Sequence, residues 1–190
     1  MIMKTQMKRK IFLTALLMAA FGLFFTACQN LKNKNSTQET TSSKETKSQP
    51  TKTFEKVSFI NEEGEEVDLG SLKGKVVFIN FWATWCPPCK KELPSIQALR
   101  ESFKDNGNIV FLMVDIDGTM KESTAYMQEN NLDLPVYIPK GRIPSAFLGN
   151  AVPTTVILNK KGEIAARTVG AGDYSKPEVK EAIDQLIADK

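Results

Sequence analysis

The chain has 190 residues, 42% of them hydrophobic and 25% charged, a balance that supports one core-bearing domain with extensions. It contains no His, which excludes Ser-His-Asp and Cys-His catalysis and removes the commonest transition-metal ligand. The formal net charge of +3 misleads: with four cations of the first ten residues and the net three positive charges of 29–53 set aside, the rest carries −4, which gives no reason to expect nucleic acid as a partner.

Residues 1–27 read as an export signal. Lys8-Arg9-Lys10 closes a basic segment, an uncharged run of 15 residues follows from Ile11 to Phe25, and small Ala27 precedes Cys28. The run is shorter than the roughly 20 residues that span a bilayer, which favours a cleaved signal over an anchor helix. Phe25-Thr26-Ala27-Cys28 resembles a bacterial lipobox, with Phe25 where Leu is usual, and implies cleavage before Cys28 and acylation of that cysteine. An ordinary cleavage site and an uncleaved anchor are the competing readings. Acylation would also account for the odd count of three cysteines.

Residues 28–53 then form the anchor cysteine and a tether. From Gln29 to Thr53 the chain is almost wholly Asn, Gln, Ser, Thr, Lys and Glu, with Leu31 the one aliphatic residue, so nothing offsets the entropy of ordering. A flexible coil of that length would hold a domain about 25–30 Å from its anchor.

The folded domain is expected over 54–190. Thr53 to Ile60, a turn at Asn61-Glu62-Glu63-Gly64, and Glu65 to Leu69 suggest a hairpin. Lys75 to Trp82 is an apolar, β-branched and aromatic run, as a strand covered on both faces should be. An amphipathic helix follows, with Leu93, Ile96, Leu99 and Phe103 at near-helical spacing. Further strands are expected at Ile109 to Asp115, Leu134 to Ile138, Thr154 to Leu158 and Glu163 to Val169. Further helices are expected from about Thr119 to Asn130 and from about Ser175 to Ala188. The order is that of an α/β sandwich.

The chemistry lies in Trp85-Cys86-Pro87-Pro88-Cys89, between the apolar strand and the helix. Cys86 falls at the first turn, where unpaired backbone N–H groups favour thiolate over thiol. Cys89, three positions on, lies one helical turn away and can attack a mixed disulfide formed at Cys86. A zinc site would need four ligands, and the chain offers two cysteines, a third expected to be acylated, and no His, so no metal is expected. A purely structural disulfide over so short a loop would restrain little of the unfolded chain. Pro87 and Pro88 suit a first turn yet lack the N–H groups that could hold a thiolate, which predicts a site leaning toward reductant.

Asn80-Phe81-Trp82-Ala83-Thr84-Trp85-Cys86-Pro87-Pro88-Cys89-Lys90-Lys91-Glu92, with Val152-Pro153-Thr154-Thr155 and Lys161-Gly162-Glu163-Ile164 downstream, resembles the TlpA/ResA-like branch of the thioredoxin superfamily over essentially all of 54–190. The resemblance implies a thioredoxin-like fold: a central mixed β-sheet flanked by helices, with an N-terminal hairpin and an inserted β/α segment within 119–149. It implies that Cys86 and Cys89 cycle between dithiol and disulfide, and that Pro153 is a cis-proline whose neighbour Val152 pairs with bound peptide. The competing reading of Pro153 is a plain strand-entry proline. Asn80 stands where thioredoxins carry a buried Asp, and an amide cannot take up a proton. Glu92 matches a functional glutamate of the branch and should point back toward Cys89 as its proton relay; the competing reading is an exposed helix charge. Trp85 is expected as a site wall shielding the cysteines, and Trp82 as packing.

Gly170-Ala171-Gly172 reads as a turn, and Asp115 and Asp117 as loop and helix-entry chemistry. Together these features predict an exported, lipid-anchored, monomeric thiol:disulfide oxidoreductase without cofactor, its domain facing the periplasm or the cell exterior. It would reduce protein disulfides, by family analogy those of apocytochrome c, and be recharged by a membrane thiol donor. The alternatives are a disulfide oxidase or isomerase of the same fold and a redox-inactive peptide-binding lipoprotein. A two-cysteine peroxidase fits poorly, since Thr84 lies two residues before Cys86 and not three.

Overall fold

The structure, a computed structural model, describes Phe54 and residues 56–189. The expected signal segment and tether, Cys28 included, lie outside the described residues. Among the described residues no helix is long and apolar enough to cross a membrane.

Seven strands form one mixed sheet: β1 (Ser58–Ile60), β2 (Glu66–Asp68), β3 (Val76–Trp82), β4 (Ile109–Asp115), β5 (Val136–Pro139), β6 (Thr154–Leu158) and β7 (Ile164–Val169). Their order is β2-β1-β5-β4-β3-β6-β7. The helices are α1 (Pro87–Glu101), α2 (Met120–Glu129) and α3 (Pro177–Ala188). Parallel pairing of β3 with β4 and of β4 with β5 is made possible by the α1 and α2 crossovers, because parallel neighbours cannot be joined by a tight turn. The remaining pairings are antiparallel, with β1–β2 and β6–β7 as hairpins and β1 laid beside β5. The architecture is the thioredoxin-like α/β fold expected, with the β1–β2 hairpin at its start and α2 and β5 within the inserted segment.

Strand β3 is buried along its whole length, and its alternation organises the core. Val76, Phe78 and Trp82 face one layer with Leu93, Ile96 and Leu99 of α1 and Ile183 of α3. Val77, Ile79 and Phe81 face the other, with Phe59, Leu112, Phe147, Val156 and Leu158. Since side chains alternate strictly along a strand, Asn80 falls on the α1 side between Phe78 and Trp82. Its cross-strand partner on β6 is Thr155. A polar pair thus enters the helix–sheet interface by parity alone.

Helix α1 begins where the sequence provides its signals: Cys86 is the N-cap and Pro87 and Pro88 occupy the first two helical positions. The start lies six residues ahead of Leu93, the first of the expected apolar stripe. Its buried stripe is Cys89, Glu92, Leu93, Ile96 and Leu99. Helix α3 docks mainly through Ile183, its one fully buried residue, with Val179, Leu186 and Ile187 partly covered. Ile183→Ala is expected to lower stability by roughly 2–5 kcal/mol, read as a fall in the urea midpoint at unchanged m value. A loss under about 1 kcal/mol would show that α3 is not held by this contact.

Candidate active site

Cys86 and Cys89 form a disulfide with Cα atoms 5.3 Å apart. The strand–helix junction places them: the Cys86 N–H donates to the Ala83 carbonyl at 3.1 Å, turning the chain out of β3 and into α1. With prolines at the first two helical positions, the earliest amide able to serve the cap is that of Cys89, and it donates to Cys86 Sγ at 3.3 Å. Cys86 thus sits at the N-cap, one step before the expected first turn, and a single N–H is directed at its sulfur. Both cysteines are buried, Cys86 at 2% exposure, within the cluster formed by Trp82, Ala83 and the α1 side chains.

Trp82 packs as expected, its ring centroid 5.8 Å from that of Tyr126. Trp85 behaves differently. It is 61% exposed, and its indole N–H donates to the Asp117 carboxylate, so at most part of the ring can cover the cysteines. Asp115 follows its expected role, accepting from the Asp117 and Thr119 amides and from the Thr119 and Ser123 hydroxyls at the entry to α2. Asp117 leaves that role and serves Trp85 instead.

The Val152–Pro153 peptide bond is cis, and Pro153 is buried at the entry to β6. Its carbonyl accepts from the Gly170 N–H at 2.9 Å. Val152 packs against the cluster that holds both cysteines. Together with Trp85, Ile116, Leu148 and Ala151 it lines a largely apolar groove of about 480 Å³. The expected site wall and peptide contact therefore border one surface depression.

Glu92 is 2% exposed, which removes the reading of an exposed helix charge. Its Oε1 accepts from Asn80 Nδ2 at 2.8 Å and its Oε2 from the Gly172 N–H at 2.9 Å. Burial pushes the carboxyl above its ordinary 4.5, and the Gly172 and Asn80 donors pull against that rise. Asn80 Nδ2 also donates to Thr155 Oγ1 at 2.9 Å, and Thr155 Oγ1 accepts from Tyr174 Oη at 2.6 Å. Gly170-Ala171-Gly172, expected as a plain turn, thus supplies half of the carboxylate's donors. Thr155, Gly172 and Tyr174 were not legible as site residues. For Glu92 a signal existed, since it falls three after Cys89 and four before Ile96, on the buried stripe. Among the described residues no group of His, Cys, Asp and Glu is placed to hold a metal ion.

A redoxin family profile matches residues 44–186. A Bacillus cereus protein named thiol-disulfide oxidoreductase ResA is 35% identical over 109 residues, 57% of this chain and 62% of that protein, so the chain spans less than two thirds of that relative's length. A protein of the same name from Halalkalibacterium halodurans is 32% identical over 133 residues, covering 68% of this chain and 74% of that one. The fold is shared with the solution structure of a protein from Bacteroides thetaiotaomicron described as a putative protein disulfide isomerase, with a TM-score of 0.62 and 22% identity over 74% of this chain and 92% of that one. With a seven-stranded thioredoxin-like sheet, a disulfide at the start of α1 and a family match over most of its length, the chain belongs to the redoxin family, in its ResA/TlpA-like branch.

Proposed function

We propose that this protein is an exported, lipid-anchored thiol:disulfide oxidoreductase that reduces protein disulfides. The observation that carries the reading is the Cys86–Cys89 disulfide at the N-terminus of α1, bordered by an apolar groove through Val152. The thiolate of reduced Cys86 attacks one sulfur of a substrate disulfide, forming a mixed disulfide and releasing the other substrate sulfur as thiolate. Cys89, deprotonated, attacks Cys86 Sγ, closes the intramolecular disulfide and releases the second substrate thiolate. Two electrons pass to the substrate, and a thiol donor at the membrane returns the site to the dithiol.

Glu92 lies one helical turn beyond Cys89 on the same buried stripe, and burial raises its carboxyl above the ordinary value, the direction that favours accepting the Cys89 proton. The groove walled by Trp85 and Val152 suits an extended apolar segment around a substrate cysteine, with the backbone beside Pro153 as its pairing edge. The ResA-like resemblance favours the cysteines of apocytochrome c as substrate. Anchoring at Cys28 and export rest on the signal-like character of residues 1–27, and the domain's placement outside the cytoplasm follows from them.

With two prolines leaving one N–H at Cys86 Sγ, a thiolate there receives little backbone support, so the reduced form should not be strongly stabilised. The Cys86–Cys89 couple is therefore expected near the potential of thioredoxin, about −270 mV, when equilibrated against dithiothreitol, with Cys86→Ser inert. A value near about −120 mV would instead make the protein an oxidant and remove the reductase reading.

For Glu92 the sign is fixed by burial. The folded state holds its carboxyl proton at pH values where the unfolded chain has lost it, so the proton-linked stability is full below about 4.5 and is lost as pH rises through the raised folded value. Urea melts of the disulfide-closed protein should show the wild type losing stability relative to Glu92→Gln across that interval. A difference that does not change with pH would mean the carboxylate is not buried as described.

Trp85→Ala is expected to raise KM for a disulfide peptide about tenfold while leaving reduction by dithiothreitol unchanged. Equal losses in both would place Trp85 in the chemistry and not in the groove.

A further inference from the structure

We propose that Tyr174 and Thr155 are positioning residues that hold the Asn80 amide with its NH2 toward Glu92 and so favour the ionised carboxylate over the acid. The proposal rests on Glu92 serving as the proton acceptor of the redox site.

The amide's orientation is a choice with consequences for charge. Asn80 spends both N–H bonds in the helix–sheet interface, one on Glu92 Oε1 at 2.8 Å and one on Thr155 Oγ1 at 2.9 Å. Its carbonyl Oδ1 is buried without a hydrogen-bond partner. Rotated by half a turn, the amide would present that carbonyl to its neighbours, which suits a protonated carboxyl and opposes a carboxylate. The two orientations therefore belong to the two protonation states of Glu92.

Thr155 decides between them, and Tyr174 decides for Thr155. A threonine hydroxyl has one hydrogen and two acceptor positions, and its rotor settles where partners dictate. Tyr174 Oη donates to Thr155 Oγ1 at 2.6 Å, so with Asn80 donating as well both acceptor positions are filled. Burial holds the Tyr174 phenol up at about 12, so at neutral pH it keeps the proton it donates. Without that donor the Thr155 hydroxyl is free to turn its own hydrogen toward an inverted Asn80 carbonyl.

Tyr174 is fixed well enough for this. Its N–H donates to Ser95 Oγ at 3.1 Å, and Ser95 Oγ donates to the Glu92 carbonyl at 2.7 Å, which ties the loop to α1. Its ring stands edge-on to Phe78 at 5.3 Å, and a Cβ on Gly172 would come within 3.1 Å of it. Residues 172–174 thus give Glu92 a direct donor through Gly172 and an indirect one through Tyr174, Thr155 and Asn80. The charged groups nearby are engaged or exposed: Lys90 lies over the Tyr126 ring, Lys91 is exposed, and Asp173, between Gly172 and Tyr174, accepts from the Ser175 N–H and hydroxyl, while Cys86 and Cys89 do not titrate in the disulfide.

The test is a carbon-13 carboxyl titration of Glu92 in the full chain with the disulfide closed, the resonance assigned by its loss in Glu92→Gln. Tyr174→Phe, which keeps the ring, is expected to shift the Glu92 midpoint upward by roughly half to one pH unit. Thr155→Val should do the same or slightly more, and the double variant should match Thr155→Val alone, because Tyr174 acts through Thr155. Thr155→Ser, which keeps the hydroxyl, should restore the wild-type midpoint. Unchanged midpoints in the single variants, or shifts that add in the double, overturn the proposal. If Tyr174→Phe does not fold, the Thr155→Val and Thr155→Ser pair decides it. Because the titration needs no turnover, it fails or succeeds apart from the redox reading, which stands or falls on the potential and on disulfide reduction.

Discussion

A carboxylate taken out of water between a helix and a sheet must find donors or give up its charge, and this demand at Glu92 shapes the chain around the cysteines. One donor comes from β3 and another from the loop after β7, 80 positions along the chain. The partial rise of the carboxyl records the balance: desolvation is the larger effect, and two hydrogen bonds recover part of it. Asn80 in this setting is more than a missing aspartate. It cannot take up a proton, but its amide donates to the buried carboxylate.

The cysteine environment follows from the same economy of donors. A helix N-terminus ordinarily aims several amides at its cap, and here prolines remove two of them. The remaining Cys89 N–H reaches Cys86 Sγ at 3.3 Å. Backbone support for a thiolate is thereby limited at Cys86, while the buried carboxylate one turn on, Glu92, has two donors. The Asp117 bond to Trp85 belongs to a third layer, holding a large exposed ring at the rim of the groove.

Much of this could be read from the residues. The buried strand β3, apolar but for Asn80, and the Cys-Pro-Pro-Cys junction each carry a local rule, and local rules survive into the structure. Parity along β3 even places Asn80 on the α1 side. What could not be read were partnerships between distant segments. Nothing near Tyr174 announces that its hydroxyl meets Thr155, and Gly170-Ala171-Gly172 looks like any turn until α1 is docked beside it. Trp85 shows the converse: its neighbours suggest a wall over the cysteines, and its indole N–H instead donates to a carboxylate on the loop after β4.

The Glu92 shell is assembled from segments that lie far apart in the chain. Closing contacts over 75 and 80 positions costs chain entropy that local helix formation does not, so α1 can exist before its buried acid is supplied. During synthesis Cys86 and Cys89 emerge well ahead of Thr155 and Gly172. A chain interrupted before residue 172 would therefore carry the cysteine pair and Glu92 without the carboxylate's full set of donors.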